Sequence, residues 1–209
     1  MTNSDLTVSA GALPLATPGE RSGERSGKRE RLVAAATQML HQQGVEATTL
    51  ADIATAAGIP LGNVYYYFKT KSDIIAAVID AQAGSIHSML ARLDASQPDP
   101  AARLKALFAA LAGEKEMVAR YGCPHGTLCQ ELAKHGEGAG VPDASLLVLM
   151  PIDWAERQFA AMGRADARAL AIQAIAAYQG AALLTSALRD PAVLERESQR
   201  MAAWIDSLS

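Results

Sequence analysis

Aromatic residues are scarce in this 209-residue chain: five Tyr, three Phe and two Trp make up 5% of it. Valine and isoleucine are sparse beside alanine, and no stretch alternates apolar and polar residues with a period of two. That excludes a β-sandwich or a barrel. Two cysteines, Cys123 and Cys129, are too few for a disulfide scaffold at this length, so a reducing, cytoplasmic setting is expected. No excess of positive charge exists either. The formal net charge of −3 argues against a nonspecific coat for nucleic acid. The first 27 residues lack the apolar core of a secretory signal, and Pro14 and Pro18 interrupt them, so no leader is expected. One uncharged run, Ala169 to Leu188, has the length of a bilayer span. It carries Gln173, Gln179, Thr185, Ser186 and much alanine where a span would carry Leu, Ile and Phe. It reads as a buried helix, and no membrane partner is expected.

What is present is half hydrophobic and rich in alanine, enough for a sizeable all-α core. The charge is unevenly spread. Residues 21–71 hold seven Lys/Arg and four Asp/Glu, whereas residues 72–209 hold twelve and sixteen. Residues 1–27, with their "GERS-GERS-GKRE" near-repeat, read as a disordered tail. The tail is either a solvated leader or a basic arm (Arg21, Arg25, Lys28, Arg29) for a DNA groove. A first helix is expected from Lys28 to Gln43, with Leu32, Ala36, Met39 and Leu40 on one face and Gly44 ending it. Thr49 with Asp52, and Thr70 with Asp73, are two capping boxes that open further helices. A helix from Pro100 to about Arg120, a short one from Thr127 to His135, and one from Asp143 to Met162 bent or interrupted at Pro151 follow. A "GEGAGVPD" loop lies between the last two. The uncharged helix, Asp166 to Arg189, and a final helix after Asp190-Pro191 complete the pattern.

The aromatics that do exist are bunched. "GIPLGNVYYYFKTKSD" places Tyr65, Tyr66, Tyr67 and Phe68 side by side, just before Lys69 and Lys71. A helix turns about 100° per residue, so four consecutive aromatics cannot share one core face. Val64 and Phe68, one turn apart, are expected inside. Tyr66 and Tyr67 are expected outside with Gly62 and Asn63, and Tyr65 at the rim. Two short helices joined by "AAGIP" form a helix-turn-helix pattern, whose second helix fits the DNA major groove. Displayed phenols bond phosphate oxygens and press on thymine methyls, and the lysines add phosphate charge.

"TTLADIATAAGIPLGNVYYYFKTKSDII" resembles the N-terminal DNA-binding domain of the TetR family of transcriptional regulators. The likeness covers about residues 28–78, with Tyr67 standing where the family most often has histidine. "YQGAALLTSALRDP" is similar to the family's dimerisation helix. The resemblance implies a three-helix DNA-binding domain over 28–78 and a larger helical ligand-binding and dimerisation domain over 79–209. It implies phosphate contact by Thr49, Tyr65, Tyr67 and Lys71, and base-facing positions for Leu61, Gly62, Asn63 and Tyr66. Leu61 replaces the polar residue of many relatives, so its readout would be apolar or absent. The partners implied are a near-palindromic double-stranded DNA operator, a second copy of the chain and a small-molecule effector. The activity implied is ligand-responsive regulation, most often repression. A helical protein–protein module without a DNA role is the competing reading.

For the second domain, Phe108, Tyr121, Cys123, His125, Trp154, Gln158, Gln173 and Tyr178 are candidate pocket residues, combining apolar bodies with polar handles. Ala177, Gly180 and Ala181 would permit close approach of helices at a dimer interface. Cys123, His125, Cys129 and His135 lie close in sequence, but C-x-H-x3-C-x5-H is not a common zinc spacing. Cys123 is open to two readings, a reactive thiol near His125 that senses electrophiles, or a packed interhelix joint. No nucleophile–base pair, phosphate-binding loop or dinucleotide fingerprint stands out, so neither an enzyme nor a cofactor is expected.

Overall fold

A computed structural model describes residues 18–134 and 142–208. All regular structure among them is α-helical. The helices are α1 (Pro18–Ala47), α2 (Leu50–Ala57), α3 (Leu61–Tyr67), α4 (Lys71–Ser96), α5 (Pro100–Gly113), α6 (Lys115–Tyr121), α7 (Pro124–Lys134), α8 (Leu146–Ala161), α9 (Ala167–Leu188) and α10 (Pro191–Asp206). The expected tail partly falls outside the described residues. Of the part inside, residues 18–27 are helical and extend α1 beyond its expected start at Lys28. Pro18 suits a first turn, and Ser26 Oγ donates to Glu30 Oε1 at 2.8 Å, one turn on. This extension has no apolar stripe, so hydrophobic periodicity could not register it.

Both capping boxes form. Asp52 N–H donates to Thr49 Oγ1, and Asp73 N–H to Thr70 Oγ1, while each carboxylate accepts the cap residue's own N–H. These bonds hold both carboxyls below the usual range, and Asp99 and Asp190 cap α5 and α10 ahead of their prolines. The long helix expected after Pro100 is two helices. Gly113, a weak helix former, ends α5, and Glu114 sits at φ −91°, ψ 12° before α6. Helix α7 begins at Pro124, three residues before the expected Thr127, since proline is well placed in a first turn. Helix α8 begins at Leu146 and continues through Pro151, whose missing N–H leaves the Leu147 carbonyl without its intrahelical donor. His135 and most of the glycine-rich loop lie outside the described residues.

One hydrophobic cluster runs from Leu32 and Val64 through Ile79 and Leu107 to Phe159 and Ile205. The division expected at residue 78 therefore falls inside α4, a continuous helix. Its Ile74, Ile75, Val78, Ile86 and Leu90 are all buried in that cluster. Helices α4 and α9 are each long and apolar enough to cross a membrane. However, α9 buries Leu170, Ala174, Tyr178 and Ala181 along one side, packed on α6, α8 and α10. Surface ion pairs such as Lys105–Asp206 and Arg168–Asp153 decorate the helix junctions and add little stability.

Candidate nucleic-acid interface and effector cavity

The α2–α3 turn is made by Gly58, Ile59 and Pro60. Gly58 takes φ 61°, ψ 40°, where a side chain is resisted, and its N–H closes α2 onto Ala54 and Thr55 carbonyls. Arg31 reaches across from α1, and its Nη2 donates to Ala57 O at 2.6 Å and Gly58 O at 3.3 Å. A cation on the last carbonyls of a helix complements the helix dipole. Arg31→Ala is expected to cost about 1–2 kcal/mol, read as a lowered denaturation midpoint.

Helix α3 buries Val64, and the residue after it, Phe68, is buried too, as the spacing predicts. The tyrosines divide differently from expectation. Tyr66 is 64% exposed and Tyr65 47% exposed, while Tyr67 is partly buried against the core. Tyr67 follows Val64 by three positions, about 60° from it on the wheel, whereas Tyr65 lies about 100° away. The displayed pair is thus Tyr65 and Tyr66. Tyr67 supports from below, its ring edge-on to Tyr66 at 5.1 Å.

Leu61, Gly62 and Asn63 are exposed on the same short helix, and Thr49 is exposed at the start of α2. The Thr49 hydroxyl is engaged, donating to Asp52 Oδ2 at 2.6 Å. Lys69 Nζ donates to Tyr65 O and Lys71 Nζ to Glu46 O, so both cations serve as tethers at the rim of this face. Arg29 lies over the Phe68 ring at 5.4 Å, a basic residue of α1 that the α3 sequence alone did not place. The assembled surface has aromatic hydroxyls, an amide, a bare glycine and cations at its edge.

The eight candidate pocket residues do not form one site. His125 and Tyr178 line a cavity of about 570 Å³ among α1, α4, α5, α6, α7 and α9. Burial, reinforced by His41, pushes His125 down to about 4, so it is neutral at physiological pH. Burial and nearby Cys123 push the Tyr178 hydroxyl up, so it stays protonated. Tyr121 instead packs edge-on against His41 at 5.6 Å. Phe108 is core. Trp154 Nε1 and Gln158 Nε2 both donate to Asp94 Oδ1, joining α8 to α4. Gln173 is exposed on α9, because it lies on the side of that helix away from α6 and α8.

Cys123 is buried, with Gly126 N–H, Tyr178 hydroxyl and Gln179 Nε2 aimed at its Sγ at 3.5, 3.6 and 3.7 Å. Cys129 donates to Ala144 O at 3.0 Å, and burial raises its thiol above the ordinary value. Among the described residues no cluster of His, Cys, Asp and Glu could hold a metal. Sequence reasoning missed Thr37, His41, Gln82 and Met89 on the cavity wall. Gln82 had a signal, being the polar residue in the Val78, Ile79, Ile86, Leu90 stripe of α4.

The family model for bacterial regulatory proteins of the tetR family matches residues 32–78. Over 94 residues the chain is 33% identical to the HTH-type transcriptional regulator TtgR of Pseudomonas putida, covering 44% of each protein. It is 30% identical over 90 residues to the HTH-type transcriptional repressor KstR2 of Rhodococcus jostii, covering 43% of this chain and 44% of that one. The match thus spans less than half the length of either curated relative. An uncharacterized HTH-type regulator of Lactococcus lactis is 29% identical over 80% of this chain and 87% of its own. A TetR-family regulator from Agrobacterium tumefaciens shares the fold at TM-score 0.76 and 21% identity, over 86% of this chain and 97% of its own. The reduced form of NemR from E. coli shares it at 0.72 and 19%, over 83% and 94%. The family model falls on the residues that form the helix-turn-helix, so residues 32–78 match the DNA-binding domain of the TetR family of bacterial regulatory proteins.

Proposed function

We propose that this protein is a cytoplasmic, sequence-specific DNA-binding regulator, a repressor released from its operator when a small molecule binds the second domain. The observation that carries this is the exposed face of α3. Two phenols, Asn63 and Gly62 stand outward on a helix locked by Val64 and Phe68, in a chain otherwise poor in aromatics. Base-facing roles go to Leu61, Gly62, Asn63 and Tyr66, and phosphate-facing roles to Thr49, Tyr65 and Lys71. Tyr67 acts through Tyr66, its partner in the ring contact.

The operator is proposed to be a near-palindrome read by a homodimer, one α3 per half-site. Ile172, Gly180, Leu183, Leu184 and Leu188 form an exposed stripe along α9, the patch such a dimer would cover. Ala177 is half-buried beside it, and Ala181 already packs within the subunit. The effector is proposed as a non-covalent ligand, since Cys123 is buried and lines neither cavity at the α1–α4 junction. Binding would favour a conformer whose recognition helices are wrongly spaced, by as much as the ligand's affinity differs between the two conformers.

Tyr66→Ala is expected to weaken specific DNA binding by about 1–3 kcal/mol. Tyr67→Phe, which keeps the ring contact, should lose less. The check is fluorescence anisotropy on labelled operator DNA with both variants. An unchanged affinity for Tyr66→Ala would remove this face from the interface.

A further inference from the structure

Two neighbouring cavities meet where the DNA-binding end joins the rest of the chain. One, about 760 Å³, opens between α1 and α4. The other, about 570 Å³, runs inward from it to Tyr178. They share Thr37, His41, Gln82, Ser85, Met117 and Pro124 as walls. Thr37 and His41 belong to α1, so the space is not confined to the second domain. The DNA-binding end supplies part of its lining.

Gln82 stands at the junction of the two cavities. It is only 8% exposed, and its Oε1 has no hydrogen-bond partner. A buried amide oxygen without a donor is unfavourable, and a ligand's N–H or O–H would offset that cost. On the inner side the lining around it is neutral, and the charged residues of the outer cavity, Arg29, Glu30 and Asp80, are exposed. Ile86, Met89, Leu111 and Val118 supply apolar surface, and His125 is held uncharged. The charged wall residues of the inner cavity, Arg92 and Glu114, are exposed at its rim. An ion brought inside would lose its hydration with no buried counter-charge to replace it.

We propose that the effector is an uncharged, largely apolar molecule with one hydrogen-bond donor, seated across the domain boundary so that its donor meets Gln82 Oε1 and its body touches Thr37 and His41. This rests on the regulator reading and adds to it the chemistry and placement of the ligand. A ligand in this position contacts α1 directly. It therefore acts on the helix that carries α2 and α3, as well as on α4. His41 Nε2 already donates to Gly122 O at 2.9 Å, so the α1 wall and the α6–α7 joint move as neighbours.

The test uses the full chain and three probes of similar shape: indole, 1-methylindole and indole-3-carboxylate. Calorimetric titration at neutral pH should show saturable indole binding, 1-methylindole weaker by about tenfold or more, and no binding of the carboxylate. Gln82→Leu, which keeps the volume and removes the acceptor, should bring indole and 1-methylindole to within about twofold of each other. Hydrogen exchange across residues 33–43 of α1 should slow with indole. The proposal is overturned by absence of saturable indole binding, by equal affinity for the methylated probe, by a preference that survives Gln82→Leu, or by unchanged exchange in α1. Operator binding by the ligand-free chain is measured separately. Its failure would remove the regulator reading and leave the probe preferences standing or falling independently.

Discussion

Gly62→Leu is expected to keep or slightly raise the wild-type denaturation midpoint and to lose about a hundredfold or more in operator affinity, near 3 kcal/mol. A β-carbon built at Gly62 meets nothing within 4 Å, so the folded chain has room for a side chain there. Helix formation itself would gain, since glycine inside a helix is worse than other residues by roughly 0.5–1 kcal/mol. The position is thus unfavourable for the isolated protein, and its value must lie outside it. Gly62 sits beside Leu61 and Asn63 at the leading edge of α3. A major groove about 12 Å wide barely admits a helix of about 10–12 Å with its side chains, so a leucine at the leading edge holds the whole face off the bases. Paired measurements of thermal unfolding and operator anisotropy check this. Unchanged DNA affinity would mean that this flank of α3 does not approach DNA.

Acid should destabilise the protein well above the range where carboxylates protonate. His125 lines the inner cavity, and burial with His41 nearby lowers it from 6.5 to about 4. Its folded value is depressed, so the unfolded chain takes up a proton near pH 6.5 that the native state refuses until near pH 4. Stability from neutral His125 is therefore complete above about pH 6.5 and is lost as pH falls from there toward 4. The total is on the order of 3 kcal/mol. Asp52, Asp73 and Asp143 also have lowered values, from hydrogen bonds at helix starts. Their contribution is lost only below about pH 4, as pH falls under the ordinary carboxyl value of 3.8. Urea midpoints at pH 7 and pH 5 separate the two windows. The drop between them should shrink in His125→Gln, and a drop of equal size would assign it to other groups.

The helix starts were readable because each is written in two or three adjacent residues. Thr49 with Asp52, Thr70 with Asp73, Asp99 with Pro100 and Asp190 with Pro191 all cap as expected. So was the inward pair Val64 and Phe68, one helical turn apart. The tyrosine assignment failed on a finer angle. Tyr67, three residues from Val64, lies closer to the core side than Tyr65, which is adjacent to it in sequence. The break at Gly113 and Glu114 was hidden because the apolar pattern continues across it. The cavity was the least legible feature. Its walls come from α1, α4, α5, α6, α7 and α9, and which side chains meet there depends on how those helices pack. Trp154 and Gln158, chosen for amphipathic chemistry, spend that chemistry on Asp94 instead. Gln82 stands out as a polar position in an apolar stripe of α4, but His41 carries little signal until the helices are placed around it.

The central claim is that the exposed face of α3 reads DNA sequence. The most direct measurement is a titration of the purified chain against labelled fragments from beside its own gene, with excess nonspecific competitor, across a range of salt. The expected result is a saturable, competitor-resistant complex with one fragment, two protomers per site, and affinity falling linearly in log–log with salt as phosphate counterions are released. Binding that the competitor abolishes for every fragment, or no complex at all, would contradict it.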